Sequence, residues 1–184
     1  MSRKYKFRDQ RKLYFVTFTV IHWLDVFIRR EYRDIFLESV KHCQQHKGLE
    51  VYAYCIMSSH IHMIIGQDAG KRLQDIVRDL KKYTSFKIIE AIRSNPRESR
   101  RELLLYFFER AGQHNSNNTR YQFWQQHNHP IELSTNEMMD QRLAYIHNNP
   151  VEAGIVLSPH EYLYSSAVNY AGLPEKLIEV MYIE

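Results

Sequence analysis

Two histidines one residue apart stand inside an apolar run, His60-Ile61-His62 in CIMSSHIHMII. On a strand, residues i and i+2 project from the same face, so the two imidazoles would stand side by side with Ile61 turned away. Two neutral imidazoles at that spacing can hold one metal ion and leave room for a further ligand. The same spacing also suits two sheet histidines hydrogen-bonded to their neighbours. A second pair, His127 and His129 in QQHNHP, lies among amides beside Pro130, which predicts a loop or strand end. A rigid strand positions ligands better than a loop, which favours His60 and His62.

A phenol is the next group with chemistry to offer. The stretch RLQDIVRDLKKYTSFKIIEAI reads as a helix with apolar residues at Leu73, Ile76, Val77 and Leu80. Continued at helical spacing, that stripe reaches Tyr83, then Thr84 and Lys87, predicting that Tyr83 and Lys87 face the sheet. A tyrosine held rigidly near a metal site can attack phosphorus and form a covalent ester. A core tyrosine is the alternative, in a chain with thirteen tyrosines.

The elements that must position these groups follow from pattern. LYFVTFTVI, residues 13–21, is β-branched and aromatic and reads as a strand. A helical stripe runs through Tyr32, Ile35, Phe36 and Val40 and ends at Gly48. EVYAYCIM and IHMII read as two strands joined at 57–59, followed by a helix over about residues 72–93 that SNP stops. The order β-α-β-β-α predicts an α+β, ferredoxin-like split βαβ domain with an antiparallel sheet and helices on one face. A second helix over about residues 98–112, a polar loop GQHNSNNTR and a last strand YQFWQQ complete a core spanning about 13–130. A C-terminal helical extension over about 131–184 begins with a helix from Asn136 to Asn148 that NNP ends, with Gly154 as a turn. A single domain over residues 1–184 is expected, without repeats or a dividing linker.

Composition narrows the class. A chain of 184 residues with 44% hydrophobic and 25% charged residues suits a globular domain with a core. No apolar run approaches a membrane span, and MSRKYKFRDQRK has no greasy signal core. Cys43 and Cys55 make no disulfide framework, so a cytoplasmic location is expected. The net charge of +4 is concentrated in three basic clusters: residues 3–12, Lys71 to Lys82, and Arg93 to Arg101. Basic clusters near aromatic residues suit a phosphate backbone with stackable bases; solvated helix faces are the plainer reading.

HIH after an apolar strand resembles the His-hydrophobic-His signature of the HUH single-strand DNA transposases, and LKKYTSFKI resembles their tyrosine helix. YQFWQQHNHPIEL, RLAYIHNNPVEAGIV and YLYSSAVNYAG resemble C-terminal signatures of the REP-associated tyrosine transposases and their transposase-17-like relatives. The resemblance spans about Leu13 to Gly172. It implies a nucleoid-associated transposase and endonuclease that nicks and rejoins hairpin-containing single-stranded DNA. A divalent ion, Mg or Mn, would be held by His60 and His62. Tyr83 would attack the scissile phosphate, leaving a 5′-phosphotyrosine and a free 3′-hydroxyl. Several relatives act as dimers, so a homodimer is compatible with the resemblance. Arg3, Lys4, Lys6, Arg11, Lys12, Lys81 and Lys82 would meet the DNA backbone, Trp124 would stack on a base, and His147 would contact DNA.

One departure stands out. In the best understood relatives a Gln or Asn four residues after the tyrosine completes the metal site, and here that position is Lys87. An ammonium has donors only and cannot ligate a metal while charged. It would instead hold the scissile phosphate, or else snorkel into water. A domesticated hairpin-binding protein that no longer cuts is the alternative function.

Overall fold

The computed structural model describes residues 7–68, 70–114 and 120–183. Arg3, Lys4 and Lys6, and most of the GQHNSNNTR loop, lie outside the described residues. Four strands, β1 (Leu13–Thr19), β2 (Leu49–Ile56), β3 (His60–Gln67) and β4 (Ile131–Leu133), form one sheet in the order β2-β3-β1-β4, antiparallel throughout. With helices α1 (Arg30–Lys47) and α2 (Leu73–Ser94) between them, this is the ferredoxin-like order expected from the sequence.

The pleat divides the side chains between two faces. In the β1–β3 ladder Phe18 opposes Ile61, Thr17 opposes His62 and Thr19 opposes His60. Directly opposed residues share a face and neighbours alternate. Phe18 and Ile61 therefore point one way, and Thr17, His60 and His62 the other. Phe18 packs against Phe36 of α1 and against Trp124. The Trp124 indole in turn donates to Thr84 Oγ1 of α2 at 3.1 Å. The apolar face thus lies under α1 and α2. Tyr32, Phe36, Leu37, Val40 and Cys43 of α1 are buried there, as are Leu73, Ile76, Val77, Leu80, Ile88, Ile89 and Ile92 of α2. Truncating a ring such as Phe36 in so filled a layer costs about 3–5 kcal/mol.

Local signals fix the ends. Gly48 closes α1 at φ 71°, and a Cβ there would also strike the Asp68 carboxylate. Gln10 Oε1 accepts from the Leu73 amide at 2.7 Å, so a residue sixty-odd positions upstream caps α2. Helix α3 (Arg101–Gln113) packs on α2. No described helix is long and apolar enough to cross a membrane.

Three expectations need correcting. YQFWQQ is not the fourth strand: among its residues Trp124 makes one isolated bridge to Val20, and β4 comes later, at Ile131–Leu133. The aromatic residues of this segment dock into the core rather than form a ladder, since the consecutive Phe123 and Trp124 are both buried. Helix α4 runs from Asn136 to Glu152, straight through Asn148, Asn149 and Pro150. Pro150 sits in its last turn, where the missing N–H releases one carbonyl and leaves the rest of the ladder intact. The true end is a Schellman arrangement: Ile155 N bonds Pro150 O, Gly154 N bonds Val151 O, and Gly154 has φ 70°. Finally, the helices do not share one face. α4 covers the histidine face, its Tyr145 ring lying 6.0 Å from that of Phe15 and 5.1 Å from that of His62.

The free edge of β2 is closed by the C-terminal segment. Ile56 N bonds Tyr164 O, Ser166 N bonds Tyr54 O and Met181 N bonds Val51 O. Such cover removes a template for edge-to-edge pairing.

Candidate functional site

His60 and His62 stand side by side as the strand period requires, their ring centroids 4.7 Å apart. His62 is held from both ends. Its Nδ1 meets the Thr17 hydroxyl at 2.9 Å, and its Nε2 faces the Tyr145 hydroxyl at 3.4 Å. The Phe15 ring stacks beside it at 5.4 Å. Burial, with smaller contributions from His60 and Arg142, pushes the His62 imidazole down to about 3. Burial also lowers His60, whose Nδ1 lies 3.2 Å from the Ser59 hydroxyl, while the Asn149 side chain opposes that shift. Both rings are thereby kept neutral, the form that ligates metal.

Helix α4 brings three more groups to this face. Tyr145 and Asn149, one turn apart, reach His62 and His60 respectively. The Arg142 guanidinium, a turn earlier, lies 4.9 Å over the Phe15 ring. Among the described residues no carboxylate forms an ion pair with Arg142. Two neutral imidazoles and an amide oxygen fit a first-row divalent ion such as Mn; Mg prefers an all-oxygen shell. Among the described residues no group of three His, Cys, Asp or Glu side chains gathers, so any third protein ligand is of another type.

The residues expected on α2 are elsewhere. Tyr83 is 53% exposed on the helix that covers the opposite face of the sheet. Its neighbour Thr84 takes the inward position, bonding Leu80 O at 2.7 Å and receiving Trp124 Nε1. Positions three and four residues after Leu80 both continue the stripe, and packing gives the inward place to Thr84 and not to Tyr83. Lys87 does not point at the histidines: its Nζ pairs with Glu90 at 3.2 Å on the outside of α2.

The DNA-contact candidates divide in the same way. Lys81 is half-buried under the loop after α3, donating to Gln125 O at 2.7 Å and Asn128 Oδ1 at 2.5 Å, and desolvation lowers it to about 7. Trp124 is only 5% exposed and cannot stack on a base. His147 is turned into the fold, its Nε2 2.9 Å from Ser166 Oγ, and burial pushes it down to about 4. Arg11, Lys12 and Lys82 are exposed. Arg72 and Arg78 pair with Asp75, Arg78 also with Asp79, Arg97 with Glu31 and Arg100 with Glu98. Four cations of the second and third basic clusters are thus engaged by carboxylates within the fold. His127 and His129, 6.0 Å apart, lie in the loop before β4.

Tyr145, Asn149 and Arg142 are the residues the sequence reading missed. A signal for two of them was present in YIHNN, where an amide follows a tyrosine by four residues.

Known structures and families bear on this arrangement. No curated protein matches the chain significantly. A REP-associated tyrosine transposase, solved bound to a REP hairpin, is similar at 16% identity over 100% of this chain and 96% of that one, with a TM-score of 0.65, which supports the fold. A putative transposase from Deinococcus radiodurans is 16% identical over 80% of this chain and 97% of its own, but its TM-score of 0.43 is too low to speak to the fold. The IS200-like transposase family matches residues 14–121, from β1 through the loop after α3, which is more than half of the chain. The chain belongs to the family of IS200-like transposases.

Proposed function

We propose that the protein nicks and rejoins hairpin-containing single-stranded DNA on the sheet face beneath α4, with Tyr145 rather than Tyr83 as nucleophile. The observation that carries this reading is the placement of Tyr145 and Asn149, one helical turn apart, against His62 and His60. A hairpin is the ligand of the transposase with the same fold, which makes hairpin DNA the first candidate substrate here.

His60, His62 and Asn149 would hold the divalent ion, which supplies positive charge to the scissile phosphate. The chain's own groups do the rest. Thr17 fixes the orientation of His62 through Nδ1. Arg142, anchored over Phe15 and without a carboxylate partner among the described residues, offers a fork to a phosphate oxygen. Tyr145 is 38% exposed, so its proton can leave to water as its oxygen attacks phosphorus. The O–P bond to tyrosine forms, the P–O3′ bond breaks, and the departing 3′-oxygen takes a proton from water. The phosphotyrosine ester retains the bond energy for rejoining, so no nucleotide cofactor is required.

Incubating a labelled hairpin oligonucleotide with protein and Mn tests this. A covalent adduct formed by wild type and by Tyr83→Phe, and absent from Tyr145→Phe, supports it. An adduct lost only in Tyr83→Phe would overturn it. Bound but intact DNA with wild type would favour the non-cutting hairpin binder. Lys87, which motivated that alternative, lies outside the site.

A further inference from the structure

Trp23 is the most exposed aromatic residue next to the histidine pair. More than half of its surface is accessible, at 57%, yet its ring centroid is 5.2 Å from that of His60. It and His22 occupy the left-handed backbone region, with φ of 55° and 54°. L side chains adopt that region at an energetic cost, and two consecutive non-glycine examples persist only where the surroundings hold them.

The surroundings do hold them. Val20 N bonds Ser59 O at 2.9 Å and Phe27 N bonds Ser58 O at 2.8 Å, so both ends of the 20–27 segment are stitched to the turn that leads into His60. Ile21 N bonds Phe123 O at 2.9 Å, and Ile21, Val26 and Phe27 are buried on either side. Between these anchors, the backbone lifts an indole out of the core and sets it beside the first histidine. Backbone strain held in place by its surroundings clusters at ligand sites, so an indole presented this way beside His60 points to a ligand.

The geometry points to Trp23 as the residue that stacks an unpaired nucleobase next to the scissile phosphate, and so sets which nucleotide is presented to the site. This rests on the DNA-cutting reading above. An indole is a suitable platform: it offers a large flat face, loses little conformational freedom on binding, and accepts any base with a preference set by stacking strength. Trp124, the other tryptophan, is enclosed by Phe18, Phe27, Phe36 and Phe123 and cannot share this role.

The test uses the full chain and a hairpin oligonucleotide with single-stranded flanks, selected from a randomised pool by the Tyr145→Phe protein. Its flank nucleotides are replaced one at a time by abasic ones. Asparagine tolerates the left-handed region, so Trp23→Asn removes the ring without opposing the backbone, and Trp23→Phe keeps a ring. The wild-type emission should be quenched on binding, with the buried Trp124 as the unquenched remainder. Trp23→Asn should bind about 5- to 100-fold more weakly at an unchanged melting temperature, and Trp23→Phe should recover most of that loss. One abasic position should weaken wild type by a similar factor and Trp23→Asn by nothing further. Abasic penalties that are equal in wild type and Trp23→Asn at every position would overturn the stacking role while leaving the DNA-cutting reading intact. Failure of the pool to yield any bound hairpin would overturn both.

Discussion

Helices α2 and α4 each carry a tyrosine followed one turn later by a polar residue, and they lie on opposite faces of the same sheet. On α2 the pair is Tyr83 and Lys87, directed outward, with Thr84 taking the inward place. On α4 it is Tyr145 and Asn149, directed at His62 and His60. The two helices are held differently. α2 buries Leu73, Ile76, Val77, Leu80, Thr84, Ile88, Ile89 and Ile92, whereas α4 buries only Ile146 and Pro150. Beyond the partly buried Met138, Met139 and Leu143, α4 is fixed by polar and ring contacts, such as His147 to Ser166 and Arg142 over Phe15. One face is built for stability and the other for placing groups at a surface. Segments that work on a ligand belong to the less deeply anchored part of a fold.

The comparison breaks most readily at the tyrosines. Tyr145→Phe should reduce the covalent hairpin adduct by about 1000-fold or more, while Tyr83→Phe leaves it within about twofold. Both changes remove one oxygen and keep the ring, so hairpin affinity should be nearly unchanged. Denaturing gels of labelled DNA give the adduct, and anisotropy gives the binding.

The stability face can be broken without touching chemistry. Glu98, just after α2, has a fully buried carboxylate that accepts from Arg29 Nε at 2.6 Å, Arg100 Nε at 3.3 Å and Tyr32 Oη at 3.2 Å. Glu98→Gln leaves two guanidiniums short of a partner and should cost about 3 kcal/mol by denaturant titration. Adduct yield per folded molecule should not change. Burial raises the Glu98 carboxyl, but the Arg100 amide and the two guanidiniums outweigh it, so the group lies below its ordinary value. A depressed carboxylate contributes stability that is fully present above its unfolded pKa and is lost as pH falls through its folded pKa. Wild-type stability should therefore fall on acidification below the ordinary carboxylate range, and Glu98→Gln should flatten part of that fall.

The metal ligands sharpen the contrast next. Asn149→Ala should weaken Mn binding by about 10- to 100-fold in calorimetric titration, and Lys87→Gln should leave it unchanged. His60→Ala or His62→Ala should abolish Mn-dependent cleavage, whereas alanines at His127 and His129 should not. A tighter Mn site in Lys87→Gln would return the third ligand position to α2.

Much of the stability face was legible in the sequence and much of the site was not, for physical reasons. The strands β1 to β3 and helices α1 and α2 carry unbroken apolar periods, and Gly48 marks a turn that only positive φ allows. His60 and His62 were legible because a strand has a period of two. Tyr83 misled because three and four residues are both helical spacings, and only packing decided that Thr84, at plus four from Leu80, goes inward. α4 was cut short because NNP looks like a stop, although a proline in a last turn removes a single hydrogen bond. Its weak amphipathicity hid the facing residues, since Tyr145 and Asn149 serve a polar neighbour rather than the core. Lys81 and Lys82 show the same limit: adjacent letters of one type, one tucked half-buried beneath a loop and the other exposed.

The smallest expected effect asks which face meets the DNA. Each cation that neutralises a phosphate contributes about 0.7–0.9 to the slope of log affinity against log salt. Arg142 lies beside the histidines with no carboxylate partner among the described residues, so Arg142→Ala should lower the slope by about that amount. Lys82 is exposed on α2, across the sheet, and Lys82→Ala should leave the slope unchanged. Arg142→Lys sharpens the result. It keeps the charge and should keep the slope, but it loses the planar fork, so cleavage should still fall. Titrating one hairpin with the four proteins over a range of salt reads all of this. A lower slope in Lys82→Ala than in Arg142→Ala would put the DNA against α2. The partition between a stability face and a working face would then have to be redrawn.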